Sequence, residues 1–278
     1  MPDLMKQTMT NLKGIVGVLL LAYSLILLGL YVGQEKLIFF PQSISKQRIT
    51  QIKHYQNVEE INLTTPDGVK LHGWLLDESE QKKSPLIIYF GGNGEEVSEL
   101  LNHKDKFAGW SVLLINYRGY GLSKGQPNED ELYQDALYLY DVFSSRSDID
   151  GNEVLACGRS LGTGVATYLA AERDIQGVVL VSPYDSVKKV AQEKLPLVPV
   201  DLLLQQKFNS ESRAAKINVP LLCLAAEEDK VIPLHHSQAL FEQWAGPKKM
   251  EIIKAEGHNT LMNNQETWHN INRFLNQF

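Results

Sequence analysis

Short apolar runs alternate with amphipathic stretches along the chain from residue 69 to its end. Most of the runs are continuous and rich in Val, Ile and Leu, which is typical of strands buried on both faces of a parallel sheet. The stretches between them repeat apolar positions at helical spacing, so the pattern predicts an α/β fold with a mostly parallel, doubly wound sheet. The predicted strands are Val69–Leu76, Pro85–Phe90, Ser111–Asn116, Glu153–Cys157, Gly177–Val181, Leu221–Ala225 and Glu251–Ile253, and the predicted helices are Glu129–Phe143, Gly164–Ala171, Leu234–Trp244 and Thr267–Phe278.

The chain begins with a different kind of apolar segment. Gly14–Gly33 contains 20 residues without a charge, and as a helix it would be about 30 Å long, which matches the hydrocarbon core of a bilayer. A cleaved signal peptide and a buried core helix are the alternatives. The run has no polar stripe, is long for a signal peptide and ends without a small-residue cleavage pattern, so it predicts a transmembrane signal anchor.

Charges on either side of the span indicate its orientation. Lys6 and Lys13 precede it, whereas Glu35 and Lys36 follow it and cancel. The positive-inside rule then predicts a cytoplasmic tail over residues 1–13. The domain formed by residues 34–278 would lie on the non-cytoplasmic side, which is the periplasm or a lumen.

One connection between predicted elements is longer than the others. The 37 residues at positions 183–219 separate two predicted strands, and they contain Pro196 and Pro199. Two prolines three positions apart prevent a single continuous helix. We expect this region to form a short cap over the carboxyl edge of the sheet.

Composition excludes several classes of protein. The 278 residues carry a net charge of −6, which argues against a nucleic-acid partner because phosphate contacts need clustered Lys and Arg. Cys157 and Cys223 fall on different strands with one strand expected between them, too far apart for a disulfide, so we expect buried free thiols. No ligand spacing for a metal, no phosphate loop and no dinucleotide fingerprint is present, and the sequence predicts neither a metal nor a cofactor.

Gly158-Arg159-Ser160-Leu161-Gly162 has the G-x-S-x-G pattern of a nucleophile elbow. It lies between a predicted buried strand and a predicted helix, which is the context that this motif needs. A sharp turn there would expose the Ser160 hydroxyl at the positive end of the helix, and Gly158 and Gly162 would remove side chains that collide with neighbouring elements. The N–H of Leu161 would point to the position of a developing oxyanion.

A serine hydroxyl needs a base, and the base needs an acid that fixes its tautomer. Among seven histidines, His258 alone follows a glycine at the end of the last apolar strand. Asp229 follows the preceding strand and is the predicted acid, with Glu227 and Glu228 as rivals. The other histidines are expected outside the site: His235 and His236 at a solvated helix start, and His54, His72, His103 and His269 on the surface.

The loop after the strand Pro85–Phe90 is the expected source of a second oxyanion donor. Gly91 and Gly92 let the backbone approach a substrate oxygen, and the N–H of Asn93 is the predicted donor. The segment Tyr117–Gly121 ends the next strand. It either braces this loop or forms a purely structural turn.

Taken in order, these motifs resemble those of the α/β-hydrolase superfamily, and more narrowly its single-span, membrane-anchored, serine-aminopeptidase-like branch. The resemblance covers about residues 35 to 278. It implies that Ser160 is the nucleophile, Asp229 the acid and His258 the base, with backbone N–H groups of Asn93 and Leu161 in the oxyanion hole. The matching segments are LIFFPQ at 37–42, YFGGNG at 89–94, NYRGYGLSKGQP at 116–127, GRSLGTGVA at 158–166, EEDKVIP at 227–233 and EGHN at 256–259.

The chain departs from that family in the oxyanion loop. Relatives usually carry His where this chain has Gly91, and small residues in place of Glu95 and Glu96. Loss of the histidine puts the bracing of the loop in doubt. Two acids near the mouth of the site would repel anionic substrates.

Three functions follow from the sequence. The first is a membrane-anchored serine hydrolase that cleaves carboxylic esters or thioesters of modest size through an acyl-enzyme; its partners would be a small acyl substrate and, through residues 14–33, the lipid bilayer. The second is an aminopeptidase or amidase in which Glu95 or Glu96 binds the substrate amine. The third is a non-catalytic membrane adaptor that retains the fold.

Overall fold

The computed structural model describes residues 2–79, 81–107 and 109–278. It contains eight strands and nine α-helices within those residues. The strands are β1 (Val58–Thr64), β2 (Lys70–Asp77), β3 (Ser84–Phe90), β4 (Ser111–Ile115), β5 (Ile149–Arg159), β6 (Gly177–Val181), β7 (Leu221–Ala226) and β8 (Lys248–Ile253). The helices are α1 (Pro2–Ile38), α2 (Lys46–Ile52), α3 (Glu129–Phe143), α4 (Leu161–Glu172), α5 (Val187–Lys194), α6 (Val200–Leu203), α7 (Glu211–Ala214), α8 (Leu234–Gln243) and α9 (Gln265–Leu275), with 3₁₀ helices at Val97–Lys106 and Leu261–Asn263.

The eight strands form one sheet in the order β1-β2-β4-β3-β5-β6-β7-β8. The six strands β4, β3, β5, β6, β7 and β8 are parallel to one another, and β2 is antiparallel to both β1 and β4. The predicted α/β fold with a mostly parallel sheet is therefore confirmed. Among the strands, the sequence pattern missed β1, because it lies at the sheet edge and buries only Ile61, so it carries no apolar run. The short helix α2 and the 3₁₀ helix Val97–Lys106 were also not predicted.

Helices cover both faces of the sheet. Strands β3, β4, β6 and β7 are buried along their whole lengths, as their apolar composition predicted. Helices α3, α4 and α8 pack with one apolar cluster, and α2, α9 and the 3₁₀ helix Val97–Lys106 pack with the other. The carboxyl ends of the parallel strands consequently open onto one edge, where the loops that follow them meet.

The two cysteines are free and buried, as expected. Cys157 lies on β5 and Cys223 on β7, with β6 between them. Burial raises the pKa of each thiol to about 12, which keeps both protonated and unreactive near neutral pH.

Helix α1 is longer than the predicted span at both ends. It runs without interruption from Pro2 to Ile38, so residues 2–13, expected to form a tail, continue the same helix. Between Met5 and Ile38 its most apolar 18-residue stretch has a mean hydropathy of 2.5, and none of that stretch is buried within the protein. By length and composition α1 is a candidate membrane span, and it is the one such helix in the described residues.

Helices α5, α6 and α7 occupy the region that the sequence predicted to be a cap. The chain breaks between α5 and α6 at Pro196 and Pro199, as expected. This cap contacts α1 along its carboxyl half: Tyr23 Oη donates to the Leu197 carbonyl oxygen at 2.6 Å, and Gln34 Nε2 donates to the Leu203 carbonyl oxygen at 3.1 Å. An apolar groove of about 190 Å³ lies between them, lined by Leu30, Gln34, Leu37, Ile38, Ala191, Leu195, Val198, Val200, Leu203 and Leu204.

A buried ion-pair network joins the loop after β4 to helix α3 and to the turn between β1 and β2. Arg118 is buried, and its guanidinium donates to both carboxylate oxygens of Asp135 on α3 at 2.8 Å and to Asp67 at 2.6 and 3.0 Å. The hydrogen bond from Arg118 lowers the pKa of Asp67 to about 2. This pair therefore stabilises the fold fully above the ordinary pKa of 3.8, and the contribution is lost as the pH falls through about 2.

Arg118→Ala should lower the free energy of unfolding by about 3–5 kcal/mol, because it leaves the buried Asp135 carboxylate without its partner. Denaturant unfolding of the purified chain, followed by tryptophan fluorescence, measures the change. The matched variant Asp67→Asn removes an exposed partner and should cost less at neutral pH, while losing less stability than the wild type between about pH 4 and about pH 2. Equal losses from the two variants at neutral pH would contradict this assignment.

Candidate active site

Ser160 occupies the sharp turn between β5 and α4. Its backbone has φ 49° and ψ −117°, a conformation that L-residues rarely adopt, and its N–H donates to the Val181 carbonyl oxygen at 2.9 Å. The next strand therefore holds the strained residue in place. The serine lies where the predicted nucleophile elbow requires it, between a buried strand and the first turn of a helix.

The two elbow glycines allow backbone segments to approach more closely than any side chain would permit. A Cβ added at Gly158 would lie 2.4 Å from the Gly162 carbonyl oxygen. One added at Gly162 would lie 2.0 Å from the carbonyl oxygen of Phe90, the last residue of β3. The motif thus brings the end of β3, the end of β5 and the start of α4 into direct contact.

The structure brings Ser160, His258 and Asp229 together at the carboxyl edge of the sheet. His258 Nε2 lies 2.9 Å from Ser160 Oγ, and His258 Nδ1 lies 2.7 Å from Asp229 Oδ2. A carboxylate only accepts hydrogen bonds, so Nδ1 carries the proton and Nε2 accepts from the serine hydroxyl. This arrangement lets the serine proton pass to the imidazole when Oγ attacks an electrophile.

The acid is held in its ionised form and in a fixed orientation. Burial alone would raise the pKa of Asp229, but the hydrogen bond and charge of His258 and the N–H groups of Ile232 and Val231 outweigh it and lower the pKa. Both N–H groups donate to Oδ1, at 2.8 and 2.9 Å, which leaves Oδ2 for the imidazole.

The two rival acids do not reach the imidazole. Glu227 and Glu228 are exposed, and the Glu227 carboxylate accepts from the Ala255 N–H at 3.2 Å. Of the three neighbouring acids, Asp229 is the one in contact with His258.

The loop that follows β3 lies directly beside the serine. A Cβ added at Gly92 would lie 3.6 Å from Ser160 Cβ. Within the residues that the structure describes, the N–H groups of Asn93 and Leu161 donate to no acceptor. Two backbone donors are thus unengaged, one on the loop and one on the first turn of α4, as the sequence predicted for an oxyanion site.

Glu95 braces this loop, a role that the sequence did not reveal. Its buried carboxylate accepts from the Gly92 N–H at 2.8 Å, from Tyr89 Oη at 2.7 Å and from Arg159 Nη1 at 2.9 Å. The doubt raised by Gly91 in place of a histidine is resolved, because this carboxylate fixes the loop instead. Arg159, the residue before the serine, neutralises the charge of Glu95.

The expectation that Glu95 and Glu96 form a negative patch at the mouth is wrong. Both are buried, and Glu96 accepts hydrogen bonds from Asn116 Nδ2 at 2.8 Å and from the Ser98 hydroxyl. Since both carboxylates are occupied by internal partners, neither is free to repel an anionic substrate or to bind a substrate amine.

The segment after β4 braces the same loop. Tyr117 Oη donates to the Gly91 carbonyl oxygen at 2.9 Å, and Tyr120 Oη donates to Asn93 Oδ1 at 3.1 Å. Burial raises the pKa of both phenols, that of Tyr120 to about 12, so both remain donors. Asn93 Oδ1 also accepts from the Phe40 N–H at 2.9 Å, which links the loop to the end of α1.

Two histidines differ from their expected surface positions. His236 is buried at the start of α8, with Nδ1 2.9 Å from Asp185 and Nε2 3.0 Å from Glu193. His72 is buried on β2 with Nε2 2.9 Å from Glu60. Their partners come from distant segments, so the residues adjacent in sequence gave no sign of burial.

Comparison with known proteins identifies the family and the fold of the chain. A family model described as the alpha/beta hydrolase fold matches residues 85–208. The uncharacterized membrane protein YNL320W of Saccharomyces cerevisiae is 30% identical over 226 residues, which span 78% of this chain and 79% of that protein. The uncharacterized protein Rv2307c of Mycobacterium tuberculosis is 29% identical over 267 residues, spanning 95% and 94% of the two chains.

A solved structure shares the fold. The Pyrococcus furiosus esterase Pf2001 superposes with a TM-score of 0.65 at 17% identity, covering 85% of this chain and 95% of that one. The chain belongs to the α/β-hydrolase superfamily.

Proposed function

We propose that this protein is a membrane-anchored serine hydrolase that cleaves carboxylic esters or thioesters through an acyl-enzyme. The observation that carries the proposal is the continuous chain of hydrogen bonds from Ser160 Oγ through His258 to Asp229. An exposed imidazole or an isolated serine would give no such chain, and a binding scaffold has no need of all three groups.

In the proposed reaction Ser160 Oγ attacks the substrate carbonyl carbon while its proton passes to His258 Nε2. The imidazolium that forms is stabilised by the ionised Asp229. Collapse of the tetrahedral intermediate breaks the bond to the alcohol or thiol, which takes the proton from His258 and leaves. Water then gives a proton to His258 Nε2 while its oxygen attacks the acyl-enzyme carbonyl carbon. Collapse of this second intermediate breaks the bond to Ser160 Oγ, which takes the proton back from His258, and the carboxylic acid is released.

The negative oxygen of the intermediate needs donors that are already in place before the reaction. The unengaged N–H groups of Asn93 and Leu161 suit that role, and the second lies at the positive end of the α4 dipole. The Gly92 N–H already donates to Glu95, so the donor of the loop in this proposal is Asn93.

Two observations favour ester or thioester substrates. The structurally similar Pyrococcus furiosus protein is described as an esterase. The alternative amidase or aminopeptidase loses its sequence-based support, because Glu95 and Glu96 both have buried internal partners.

Ser160→Ala should abolish labelling by a fluorophosphonate probe and lower hydrolysis of a short-chain ester by at least about 10³-fold. In-gel fluorescence and a chromogenic ester assay measure the two effects. Ser182→Ala is the matched control, since Ser182 is also buried with a positive φ of 50° but is not among the three site residues. A folded wild type that the probe never labels would refute the hydrolase proposal.

Glu95→Gln should lower the labelling rate and kcat about 10- to 100-fold, less than the loss of about 10²–10³ caused by deleting an oxyanion donor. The substitution weakens the hold on Gly92 and removes the charge that pairs with Arg159. Stopped time courses of probe labelling measure the rate. Glu96→Gln alters an equally buried carboxylate that does not contact Gly92, so it should spare the rate; identical effects of both variants would show only a loss of stability.

We also propose that α1 anchors the protein in a bilayer, with the domain on the non-cytoplasmic side as the positive-inside rule predicts. The length and apolar surface of α1 support the span, and so does the description of the yeast relative as a membrane protein. The cap runs beside α1 from Tyr23 to Gln34 and exposes large apolar side chains there, with Leu197 84% and Leu202 83% exposed. If α1 spans the bilayer, the part of the cap that contains Leu197 and Leu202 enters the bilayer as well.

A fluorescent probe attached at Leu197→Cys should be quenched by nitroxide-labelled lipids after the full-length protein is reconstituted into vesicles. The reason is that Leu197 lies against Tyr23, inside the proposed span. Lys82→Cys provides the control because Lys82 is exposed just before β3, at the opposite edge of the sheet. Equal quenching at the two positions would contradict insertion of the cap.

A further inference from the structure

Two histidines and a glutamate converge where the cap meets the main domain. Glu193 lies in the last turn of α5, and His235 and His236 begin α8. One oxygen, Glu193 Oε2, lies 2.8 Å from His235 Nε2 and 3.0 Å from His236 Nε2. The three side chains each offer one ligand atom, and all three atoms lie within 4.8 Å of one another.

His236 contacts a carboxylate through each ring nitrogen, and the two contacts together require a positive charge on or beside the ring. His236 Nδ1 lies 2.9 Å from Asp185 Oδ1, and because a carboxylate only accepts, this nitrogen carries the proton. In the neutral imidazole Nε2 is then an acceptor, yet it faces the carboxylate oxygen of Glu193, which is also an acceptor. A second ring proton would remove this repulsion, and so would a metal cation bound by both atoms; the metal cation would also bind the nearby His235 Nε2.

We propose that Glu193, His235 and His236 bind a zinc ion. Imidazole nitrogens and a carboxylate oxygen are a donor set that Zn²⁺ accepts, with bonds of about 2.0–2.2 Å and donors therefore about 3.3 Å apart in a tetrahedron. Small rotations of the exposed Glu193 and His235 side chains would open their contact with each other to that value. The exposure of both also leaves a fourth position open to water.

The surroundings of His236 have the form that supports a metal ligand. A histidine that binds zinc through one nitrogen usually donates its other N–H to a carboxylate, which fixes the ring and its tautomer. Asp185 is buried and does this for His236, while its second oxygen lies 3.3 Å from Lys189 Nζ. The ring is thus held with Nε2 directed at Glu193 before any ion arrives.

The site would fasten the cap to the segment that carries the catalytic acid. His235 lies six residues after Asp229, and Glu193 belongs to the cap helix α5. A second contact already joins these segments, since Lys194 Nζ donates to the Lys230 carbonyl oxygen at 2.6 Å. The metal would add a strong link at the same junction, so it is a structural ion in this proposal and takes no part in the hydrolytic step.

The test is metal titration of the full-length protein in detergent, prepared without a polyhistidine tag. The wild type should bind one Zn²⁺ per chain in a chelator competition, and Co²⁺ should give the visible absorption of a tetrahedral site. His235→Ala, an exposed position that the fold does not need, should weaken binding at least 100-fold and remove that absorption. Asp185→Asn keeps all three ligands and should weaken binding about 10- to 100-fold.

Two control variants locate the ion. His269→Ala changes a histidine outside the cluster and should leave binding unchanged, and His258→Ala should do the same, which excludes zinc held by the catalytic residues. Wild-type protein that binds no Zn²⁺ at about millimolar concentration, or that loses no affinity in His235→Ala, would overturn the proposal and show that a proton alone holds the cluster. Neither readout depends on hydrolysis, so this outcome is independent of the proposed activity.

Discussion

The site depends on one close contact between backbones, at the point where α4 begins. Gly162 lies against the carbonyl oxygen of Phe90, at a distance that leaves no room for a side chain. This contact brings the end of β3 beside the turn that follows β5, so the loop after β3 and the strained Ser160 share one small volume. The two proposed oxyanion donors lie on either side of this contact, since Asn93 belongs to the loop and Leu161 to the turn. A chain with any larger residue at position 162 would have to separate the two.

Side chains around that contact hold the loop after β3, which lacks the histidine usual in the family. The loop after β3 has Gly91 where relatives of the family usually have a histidine. Hydrogen bonds from the loop to Glu95 and from Tyr117 and Tyr120 to the loop hold its shape instead. A carboxylate in such a place would be costly if it were unpaired. Arg159 offsets the cost of burying the Glu95 carboxylate by pairing with it. Because Arg159 is also the residue before Ser160, this ion pair joins the serine turn to the loop that it faces.

The sequence predicted those parts of the structure that short apolar runs and adjacent residues determine. The seven strands with apolar runs, the elbow at Ser160 and the loop ends that carry Asp229 and His258 all follow from the positions of apolar runs and the residues after them. Strand β1 was not predicted, because this edge strand buries one residue, Ile61, and therefore has no apolar run. His236 binds Glu193, 43 positions away, and the charge of the buried Glu95 is paired with Arg159, 64 positions away in the chain. No single-sequence pattern carries contacts of that range, and the acidic residues therefore looked solvated.

The passage from α1 into the domain has a mechanical consequence. Helix α1 ends at Ile38, Phe39 is already buried in the core, and the N–H of Phe40 binds the side chain of Asn93. The helix therefore joins the domain directly, and if α1 spans a bilayer as proposed, the domain could not tumble about it as a domain on a loose linker would. In that proposed state the face that carries Ser160 would stay at a set height and tilt, and it would move in a single plane parallel to the membrane as the helix diffuses laterally. Substrates that travel in that plane would meet the serine far more often than molecules of equal number dispersed through the surrounding fluid.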